Sequence, residues 1–293
     1  MKKLFTLLLA VLLVVGLAGC SSSKSSSSTS ESTTTKQVVI AVPNDTTNEA
    51  RALKLLADNG YITLPEGADT TATVADIVDN PYNIQFEEVE AAQLPNVLKD
   101  VDFAVINGNY AIEAGLNPTE DALLLEGSSS AYVNVLCCKE GNEDLPVIKA
   151  VVAALTSQQV GDYIGENYQD GSVVFVVENP TDGYDSSIDY DALKGTTVKV
   201  ACSPNPHADI LSDVVVGILA EKGITLEVVE FTDYVQPNTV VEDGTVELNY
   251  FQHVPYLEDF NAENGTHIVS VAGVHVEPMG LFAGTSSSLD VIK

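Results

Sequence analysis

The sequence predicts an α/β protein of two lobes, each a mostly parallel sheet flanked by helices. Short strand-like runs and amphipathic helical runs alternate in two series along the chain, a pattern typical of α/β lobes with parallel sheets. A stretch rich in Asp, Ser, Gly and Pro, residues 178–194, separates the two series and is predicted to be a linker. Residues 37–293 are long enough for two lobes of about 100 to 150 residues each.

The first twenty residues indicate the destination of the chain. Lys2 and Lys3 precede a nearly continuous apolar run that ends with Leu-Ala-Gly-Cys20, the pattern of a secretory signal peptide. The run is too short for the roughly twenty residues that span a bilayer as a helix. Its last four residues resemble the lipobox of bacterial lipoproteins. We therefore expect Cys20 to be lipidated and its acyl chains to anchor the protein at the extracytoplasmic face of the membrane.

The composition after the predicted signal limits the partners of the protein. Residues 21–36 are almost entirely Ser, Thr, Lys and Glu and are predicted to be a flexible, disordered tether. The chain has 13 Lys and Arg against 42 Asp and Glu, a formal net charge of −29. Such a surface repels phosphate backbones, which argues against nucleic acid as a partner. Besides Cys20 only Cys137, Cys138 and Cys202 remain, so we predict no disulfide framework.

The first series of elements begins with a buried strand at Gln37–Val42. A helix follows, in which Thr46 and Glu49 have capping-box spacing and Gly60 marks the end. The remaining elements of this series are strands over 84–89, 101–106, 132–138 and 172–177 and helices over 91–98, 145–155 and 157–168.

The second series begins with a strand at Thr197–Cys202. Asn205 and Pro206 then make an N-cap and first-turn pair for a helix that ends at Gly223. Strands over 225–230, 246–250 and 267–276 and helices over 234–242 and 253–264 complete the series. Ligands of such sheets bind beyond the carboxyl ends of the strands, so we predict a cleft for a small ligand where loops of both lobes meet.

Arg51 is the only arginine in the chain. It falls in the first turn of the predicted helix, where free backbone N–H groups and the helix dipole favour an anion. Its guanidinium could hold a carboxylate through two parallel hydrogen bonds. The alternative is a surface arginine paired with one of the many acidic residues.

Aromatic side chains cluster just past two predicted strands. Tyr234, Phe251, His253 and Tyr256 are placed to enclose an apolar or thioether side chain, because sulfur packs well against rings. The alternative is that these rings belong to the hydrophobic core.

The histidines do not predict a metal site, because His207, His253, His267 and His275 lack metal-ligand spacing. No Ser-His-Asp order, glycine-rich phosphate loop or activated cysteine stands out. We therefore predict a binding protein with no metal and no cofactor rather than an enzyme.

Several long strings resemble the methionine-binding lipoprotein family, often called the NlpA or MetQ family. They are Val42–Arg51, Glu90–Pro95, Ala104–Tyr110, Tyr132–Asn134, Glu230–Asn238, Asn249–His253 and His275–Gly280. The resemblance implies a two-lobed, periplasmic-binding-protein-like fold of type II with a hinge of two crossings. It also implies an ABC importer that receives methionine from this protein and consists of a permease with its ATPase.

The same resemblance implies a set of ligand-binding residues. Arg51 would bind the ligand carboxylate, and Asn107 and Asn134 would contact its α-amino and carboxylate groups. Tyr234, Phe251, His253 and Tyr256 would enclose the side chain. Three alternatives stay open: another apolar amino acid, a methionine-containing dipeptide, or a surface or adhesion lipoprotein that does not serve transport.

The order of the matching segments is reversed relative to that family, in which the segment matching Thr197–Phe282 comes first. The chain therefore resembles a circularly permuted member whose usual termini are fused through residues 178–194. This order predicts a ligand-binding lobe over residues 37–106, completed by 283–293, and a second lobe over 107–282.

Overall fold

Residues 37–127 and 131–293 are described by a computed structural model of the protein. The predicted signal peptide, with Cys20, and the predicted tether both lie outside the described residues. Within residues 37–127 and 131–293, no helix has the length and apolar character needed to cross a membrane.

The first lobe is built on a five-stranded sheet with the order β2-β1-β3-β11-β4. β1 pairs in parallel with β2 and β3, whereas β11 pairs antiparallel with β3 and β4. The strands are β1 (Val39–Pro43), β2 (Gln85–Val89), β3 (Phe103–Ile106), β4 (Ala122–Leu125) and β11 (Gly280–Ala283).

The second lobe is built on a six-stranded sheet with the order β6-β10-β5-β9-β7-β8. β7 pairs in parallel with β8 and β9, and the remaining pairs are antiparallel. The strands are β5 (Val133–Lys139), β6 (Val174–Phe175), β7 (Thr197–Cys202), β8 (Thr225–Glu230), β9 (Leu248–His253) and β10 (Ile268–Val276). The two-lobed α/β fold is thus confirmed, but each sheet is mixed rather than mostly parallel.

Helices flank both sheets. The α-helices are α1 (Thr46–Asp58), α2 (Leu94–Val97), α3 (Gly108–Glu113), α4 (Pro118–Asp121), α5 (Pro146–Leu155), α6 (Gln158–Asn167), α7 (Val216–Ala220), α8 (Gln236–Glu242) and α9 (Val254–Asn264). Wider turns of π-helical type at Pro204–Ala208 and Leu211–Val215 precede α7 in the predicted helix after Asn205.

Helix α1 starts one residue earlier than the capping-box spacing predicts. Asp45 is the N-cap, and its side chain accepts a hydrogen bond from the Asn48 backbone N–H at 3.1 Å. Because the helix begins at Thr46, Arg51 lies in its second turn rather than its first. Gly60 follows the helix with φ 77°, a left-handed conformation that glycine adopts without steric cost.

Strand β1 is buried on both faces, as expected for a central strand between two helical layers. Ile40 and Val42 pack with Leu53 of α1 on one face. Ala41 packs with Phe282 of β11 on the other. Burial of each large apolar side chain contributes about 1.5–3 kcal/mol, so this strand anchors the first lobe.

The chain passes twice between the lobes, which confirms the predicted hinge of two crossings. The first crossing lies between β4 and β5, and the second between β10 and β11, residues 277–279. The predicted lobe boundaries, after 106 and after 282, are therefore wrong in position. β4 and β11 are four residues each, too short for an alternating pattern, and they join the first sheet through antiparallel pairing.

The predicted linker, residues 178–194, packs on the second lobe. Tyr184, Ile188 and Tyr190 lie against its hydrophobic core. The Lys222 ammonium lies 4.0 Å from the centroid of the Tyr184 ring, a cation–π contact. The connection is therefore held to the body of the protein by side-chain contacts.

Candidate functional site

A cavity lies where loops from both lobes meet, and with its open mouth it holds about 340 Å³ of empty space. All seven residues predicted to contact a ligand line it. They are Arg51, Asn107, Asn134, Tyr234, Phe251, His253 and Tyr256. The cleft predicted from the sequence is thus present, and the predicted residues meet in one place.

Arg51 is buried at the cavity, with 5% of its surface exposed. Its Nε donates to both Glu126 carboxylate oxygens, at 3.0 and 3.2 Å, and its Nη2 donates to Oε2 of the same residue. Nη2 also donates to the backbone carbonyl of Glu277 at 2.9 Å. The guanidinium carbon lies 4.3 Å from the centroid of the Tyr132 ring. Within residues 37–127 and 131–293, Nη1 has no hydrogen-bond partner and is the nitrogen free to meet a ligand.

The alternative interpretation of Arg51, a surface arginine paired with an acid, holds only in part. The arginine is paired with an acid, Glu126, but the pair is largely buried at the cavity rather than on the surface, and the acid is only 17% exposed. A guanidinium held through Nε and Nη2 presents its remaining nitrogen, Nη1, in a fixed orientation, which suits recognition of an anion.

A row of asparagines continues from Asp45 into the cavity. Asn48 Nδ2 donates to Asp45 Oδ1 at 2.7 Å, and Asn107 Nδ2 donates to Asn48 Oδ1 at 2.8 Å. These bonds fix the orientation of the Asn107 amide. Asn107 Oδ1 is buried and has no hydrogen-bond partner among the described residues. An unsatisfied buried acceptor of this kind is costly unless a ligand or a water donates to it.

Asn134 approaches the cavity from the second lobe, on β5. Its Oδ1 lies 3.0 Å from Nε2 of His207, a contact that orients the amide. Burial lowers the pKa of His207 to about 3, so the ring is neutral at physiological pH.

The aromatic side chains form a connected part of the cavity lining. The ring centroid of Tyr234 lies 5.8 Å from that of Phe251 and 5.8 Å from that of Tyr256, and the last two rings are 6.0 Å apart. These spacings are typical of favourable tilted and edge-to-face pairs. Burial, followed by the charge of Arg51, lowers the pKa of His253 well below its usual value, so this ring is also uncharged. This part of the lining therefore offers π faces without a formal charge.

Five cavity residues were missed by the sequence reasoning. They are Asn48, Gly108, Asn109, Gln252 and Glu277. All five lie inside strings that carry the family resemblance. That resemblance is the signal that could have marked them. Glu126, the partner of Arg51, lies in none of those strings and follows the missed strand β4.

His207 lies together with two residues that are distant from it in sequence, His275 and Glu277, next to the cavity. His207, His275 and Glu277 place one ring nitrogen or carboxylate oxygen each within 4.8 Å of one another. These residue types bind divalent metals, and the sequence spacing did not reveal the grouping. His275 Nε2 and Glu277 Oε1 are 2.7 Å apart, however, the distance of a direct hydrogen bond, and Tyr250 OH bonds the other ring nitrogen of His275. The geometry is that of a hydrogen-bonded polar network.

The three cysteines of the described lobes are buried and free. Burial raises the pKa of the Cys138 thiol to about 11 and that of Cys202 to about 12, and it also raises the pKa of Cys137. Thiols in this state are poor nucleophiles. Packing is the role that the structure supports for them.

The chain is similar in sequence to a known family and to several of its members. The family described as NlpA lipoprotein matches residues 22–176 and 198–293. Membrane lipoprotein TpN32 of Treponema pallidum is 50% identical over 135 residues, which are 46% of this chain and 50% of that protein. D-methionine-binding lipoprotein MetQ of Escherichia coli is 40% identical over 136 residues, which are 46% of this chain and 50% of that protein.

A solved structure of a nutrient binding protein from Burkholderia cenocepacia bound to methionine shares 42% identity with the chain. The likeness covers 47% of this chain and 58% of that chain, with a TM-score of 0.42. The chain spans about half the length of the curated relatives that it matches.

Proposed function

The chain belongs to the NlpA lipoprotein family, and on that premise we propose that it is a substrate-binding lipoprotein that captures methionine for an ABC importer. The observation that carries the proposal is the cavity itself, which one buried guanidinium and four aromatic or imidazole rings line together. A relative of the chain is named D-methionine-binding lipoprotein MetQ, which supports the same ligand class.

Different residues around the cavity bind different parts of the ligand. Arg51 binds the carboxylate through Nη1, because Glu126 and the Glu277 carbonyl already occupy Nε and Nη2. Asn107 and Asn134 provide amide groups next to the charged end of the ligand. The rings of Tyr234, Phe251, His253 and Tyr256 enclose the thioether, whose polarizable sulfur packs favourably against aromatic faces.

Capture involves no bond making or breaking. The ligand lies between the two lobes, the lobes close on it, and the closed form delivers it to the permease, while a separate ATPase drives transport. Contacts across the cleft support such closure: Tyr234 OH donates to Asn109 Oδ1 at 2.6 Å, and His253 Nε2 lies 3.4 Å from Asn48 Oδ1. Hinge closure around a ligand is a common mode of domain motion.

The cavity combines one guanidinium and several amides with aromatic rings, which suits a small amino acid with an apolar side chain. Discrimination between methionine and another apolar amino acid depends on small differences in binding free energy. One methylene in an apolar pocket changes binding by about 1–3 kcal/mol.

The anchor of the protein is the predicted lipid on Cys20, at the start of the tether. This places the lobes at the extracytoplasmic face of the cell membrane, within reach of the permease. Support comes from the signal sequence and from relatives named as membrane lipoproteins.

The order of the chain is proposed to be a circular permutation of the family order. The family match breaks at residues 177–197, around the predicted linker, and each relative matches less than half of the chain. The first and last described residues also belong to one lobe, because Val38 and Ile292 share a hydrophobic core. The Lys293 ammonium lies 5.3 Å from the Tyr61 ring centroid in the same lobe. A direct joint between Lys293 and Gln37 would restore the family order.

A thermal-shift screen of the purified protein against the common amino acids and methionyl dipeptides tests the proposed function. A ligand at 100 times its dissociation constant stabilises the folded state by about 2.7 kcal/mol. We expect methionine to give the largest shift. A larger shift with another amino acid or a dipeptide would reassign the ligand, and no shift with any of them would favour a surface lipoprotein outside transport.

A further inference from the structure

We propose that helix α3 and the loop after it form a latch that holds the two lobes together without help from a ligand, so that the lobes must unlatch before methionine enters or leaves. The latch consists of the contacts that Tyr110, Ile112 and Asn117 make with the second lobe. The inference rests on the proposed function only in taking methionine as the ligand. It concerns the rates of capture and release, which the proposed function leaves open.

Helix α3 belongs to the first lobe, because it directly follows β3, yet it packs on the second. Ile112 lies half-buried against the hydrophobic core of the second lobe. Gly108, the first residue of the helix, approaches the second crossing so closely that a Cβ there would lie 2.7 Å from Glu277 Cβ. Separation of the lobes would expose Ile112 to water, so burial of this side chain favours the joined form.

Tyr110 makes a second contact from the same helix. Only 4% of its surface is exposed, and its OH donates to the Thr232 backbone carbonyl of the second lobe at 3.2 Å. Its ring centroid lies 4.8 Å from that of Tyr234, which packs in turn against the core of the first lobe. Each lobe therefore places a side chain against the hydrophobic core of the other.

A polar contact completes the latch beyond α3. Asn117, the N-cap of α4, donates from Nδ2 to Oδ2 of Asp170, in the loop before β6, at 2.8 Å. Both side chains are held by their own turns. Asn117 Oδ1 accepts from the Thr119 backbone N–H at 3.0 Å, and Asp170 Oδ1 accepts from that of Ser172 at 2.9 Å. Because these turns already restrict the two side chains, the bond between the lobes forms at little cost in conformational entropy.

The latch is separate from the ligand cavity. Among the residues that the structure describes, the cavity lining includes none of Ile112, Asn117 and Asp170. Their contacts join protein to protein and contribute equally whether the lobes meet on a ligand or without one. A contact of equal strength in both states cannot change the preference of the closed form for a ligand. It can change the rate at which the lobes open.

The rates distinguish a latch from a contact with the ligand. When the ligand-free lobes are mostly joined, a weaker latch speeds opening for entry and opening for release by the same factor. The two effects then cancel in the dissociation constant. When the ligand-free lobes are mostly apart, a weaker latch speeds release alone and weakens binding by the same factor.

Stopped-flow tyrosine fluorescence measures both rates, because the chain has 11 tyrosines and no tryptophan, and Tyr234 lines the cavity. In the parent protein the association rate should level off at high L-methionine concentration, where opening limits it. Ile112→Ala should raise this plateau and the dissociation rate by about tenfold each, with a change in Kd of less than about threefold. Leu116→Ala is the matched control. Leu116 is half-buried against the core of its own lobe, so its loss should lower Tm and leave both rates unchanged.

Asn117→Asp tests the polar contact with a change that keeps the fold. Aspartate caps a helix as well as asparagine does, but here it places a second carboxylate against Asp170. Both rates should again rise, and by more at low than at high salt, because salt screens exposed charges. The protein with Ile112→Ala and Asn117→Asp together should expand in small-angle scattering without any ligand.

Three results would overturn the latch. They are an association rate that rises linearly with methionine concentration in the parent protein, weaker binding of Ile112→Ala through faster release alone, and unchanged scattering of the double variant. The scattering result does not depend on the identity of the ligand. A parent protein that binds no methionine would therefore overturn the proposed function, while scattering of the double variant would still decide the latch.

Discussion

Arg51 and Glu126 form an ion pair in which the arginine Nε donates to both carboxylate oxygens, at 3.0 and 3.2 Å, across 75 positions of sequence. Glu126 belongs to the first crossing between the lobes. The same guanidinium donates to the carbonyl of Glu277, in the second crossing. The Arg51 guanidinium, which is proposed to bind the ligand carboxylate, therefore contacts both segments that connect the lobes. Ligand binding and lobe closure thus involve the same side chain.

Replacement of Arg51 is the first prediction. Arg51→Ala should reduce methionine affinity at least about 100-fold, because loss of one partner of a buried charged contact costs about 2–5 kcal/mol. Arg51→Lys should recover only part of it, since lysine keeps the charge but loses the planar fork. Isothermal calorimetry is the measurement. Lys54→Ala, three residues further along α1, removes an exposed cation paired with Asp58 and should bind as the parent does. Unchanged affinity of Arg51→Ala would defeat the assignment.

A second prediction concerns the contact across the cleft. Tyr234→Phe keeps the ring but removes the bond to Asn109, and one hydrogen bond contributes about 0.5–1.5 kcal/mol. We expect methionine affinity to fall by about two- to tenfold and the unliganded protein to expand in small-angle scattering. Tyr256→Phe is the matched control, because it removes a bond to the Tyr234 carbonyl within one lobe. Expansion of the control to the same extent would contradict a role in closure.

Acid sensitivity is the third prediction. Burial lowers the pKa of His207 and His275 to about 3 and that of His253 well below its usual value. The unfolded chain binds protons at these rings from about pH 6.5 downwards and the folded chain does not, so stability is complete above that pH and falls on acidification. Between pH 7 and pH 5.5 the loss should be about 1 kcal/mol per ring.

Urea unfolding at several pH values measures this loss. Below about pH 5 the effect should weaken, because burial raises the pKa values of Asp45, Glu49 and Glu277 and the folded state then takes up protons there. Stability that stays constant from pH 7 to pH 5.5 would be incompatible with three neutral buried rings.

The fourth prediction concerns Gly284, where the chain has returned to the first lobe. Gly284 follows β11, and a Cβ there would lie 2.4 Å from the Val101 carbonyl oxygen and 2.5 Å from that of Leu98. Gly284→Ala should therefore destabilise the protein by more than about 2 kcal/mol, seen as a fall in Tm of at least about 5 °C. Gly217→Ala, in α7 with no atom near its Cβ position, should be neutral or stabilising by up to about 1 kcal/mol. Similar Tm values for both variants would show that the end of β11 does not pack as described.

Rejoining the ends is the fifth prediction. A chain that starts at Thr196, runs to Lys293, continues through a short Gly-Ser linker into Gln37 and stops at Asn179 should fold. It should also bind methionine within about threefold of the parent, since both ends lie in one lobe and the new opening is in the connection between β6 and β7, outside both sheets. Opening the chain inside β9 instead, where every residue is buried, should abolish folding. Failure of the first rearrangement to fold would argue against the proposed permutation.

Local features of the fold were predictable from the sequence because they depend on neighbours along the chain. The predicted bounds of Thr197–Cys202 and Thr225–Glu230 coincide with β7 and β8. Alternation and flanking turns specify such strands locally. β4 and β11 were missed because four residues carry no clear period and because their place was decided by antiparallel pairing with strands distant in sequence.

The sequence by itself predicted the signal and lipobox, and it determined the two-lobed α/β plan and the seven residues that meet at the cavity. It could do so because export signals, periodicity and the family strings are all properties of contiguous residues. Only the tertiary structure decided that Glu126 holds Arg51, that Asn107 keeps a free oxygen, and that Glu277 lies between neutral histidines. Charge pairing and desolvation depend on distance through space, and the fold alone sets that distance.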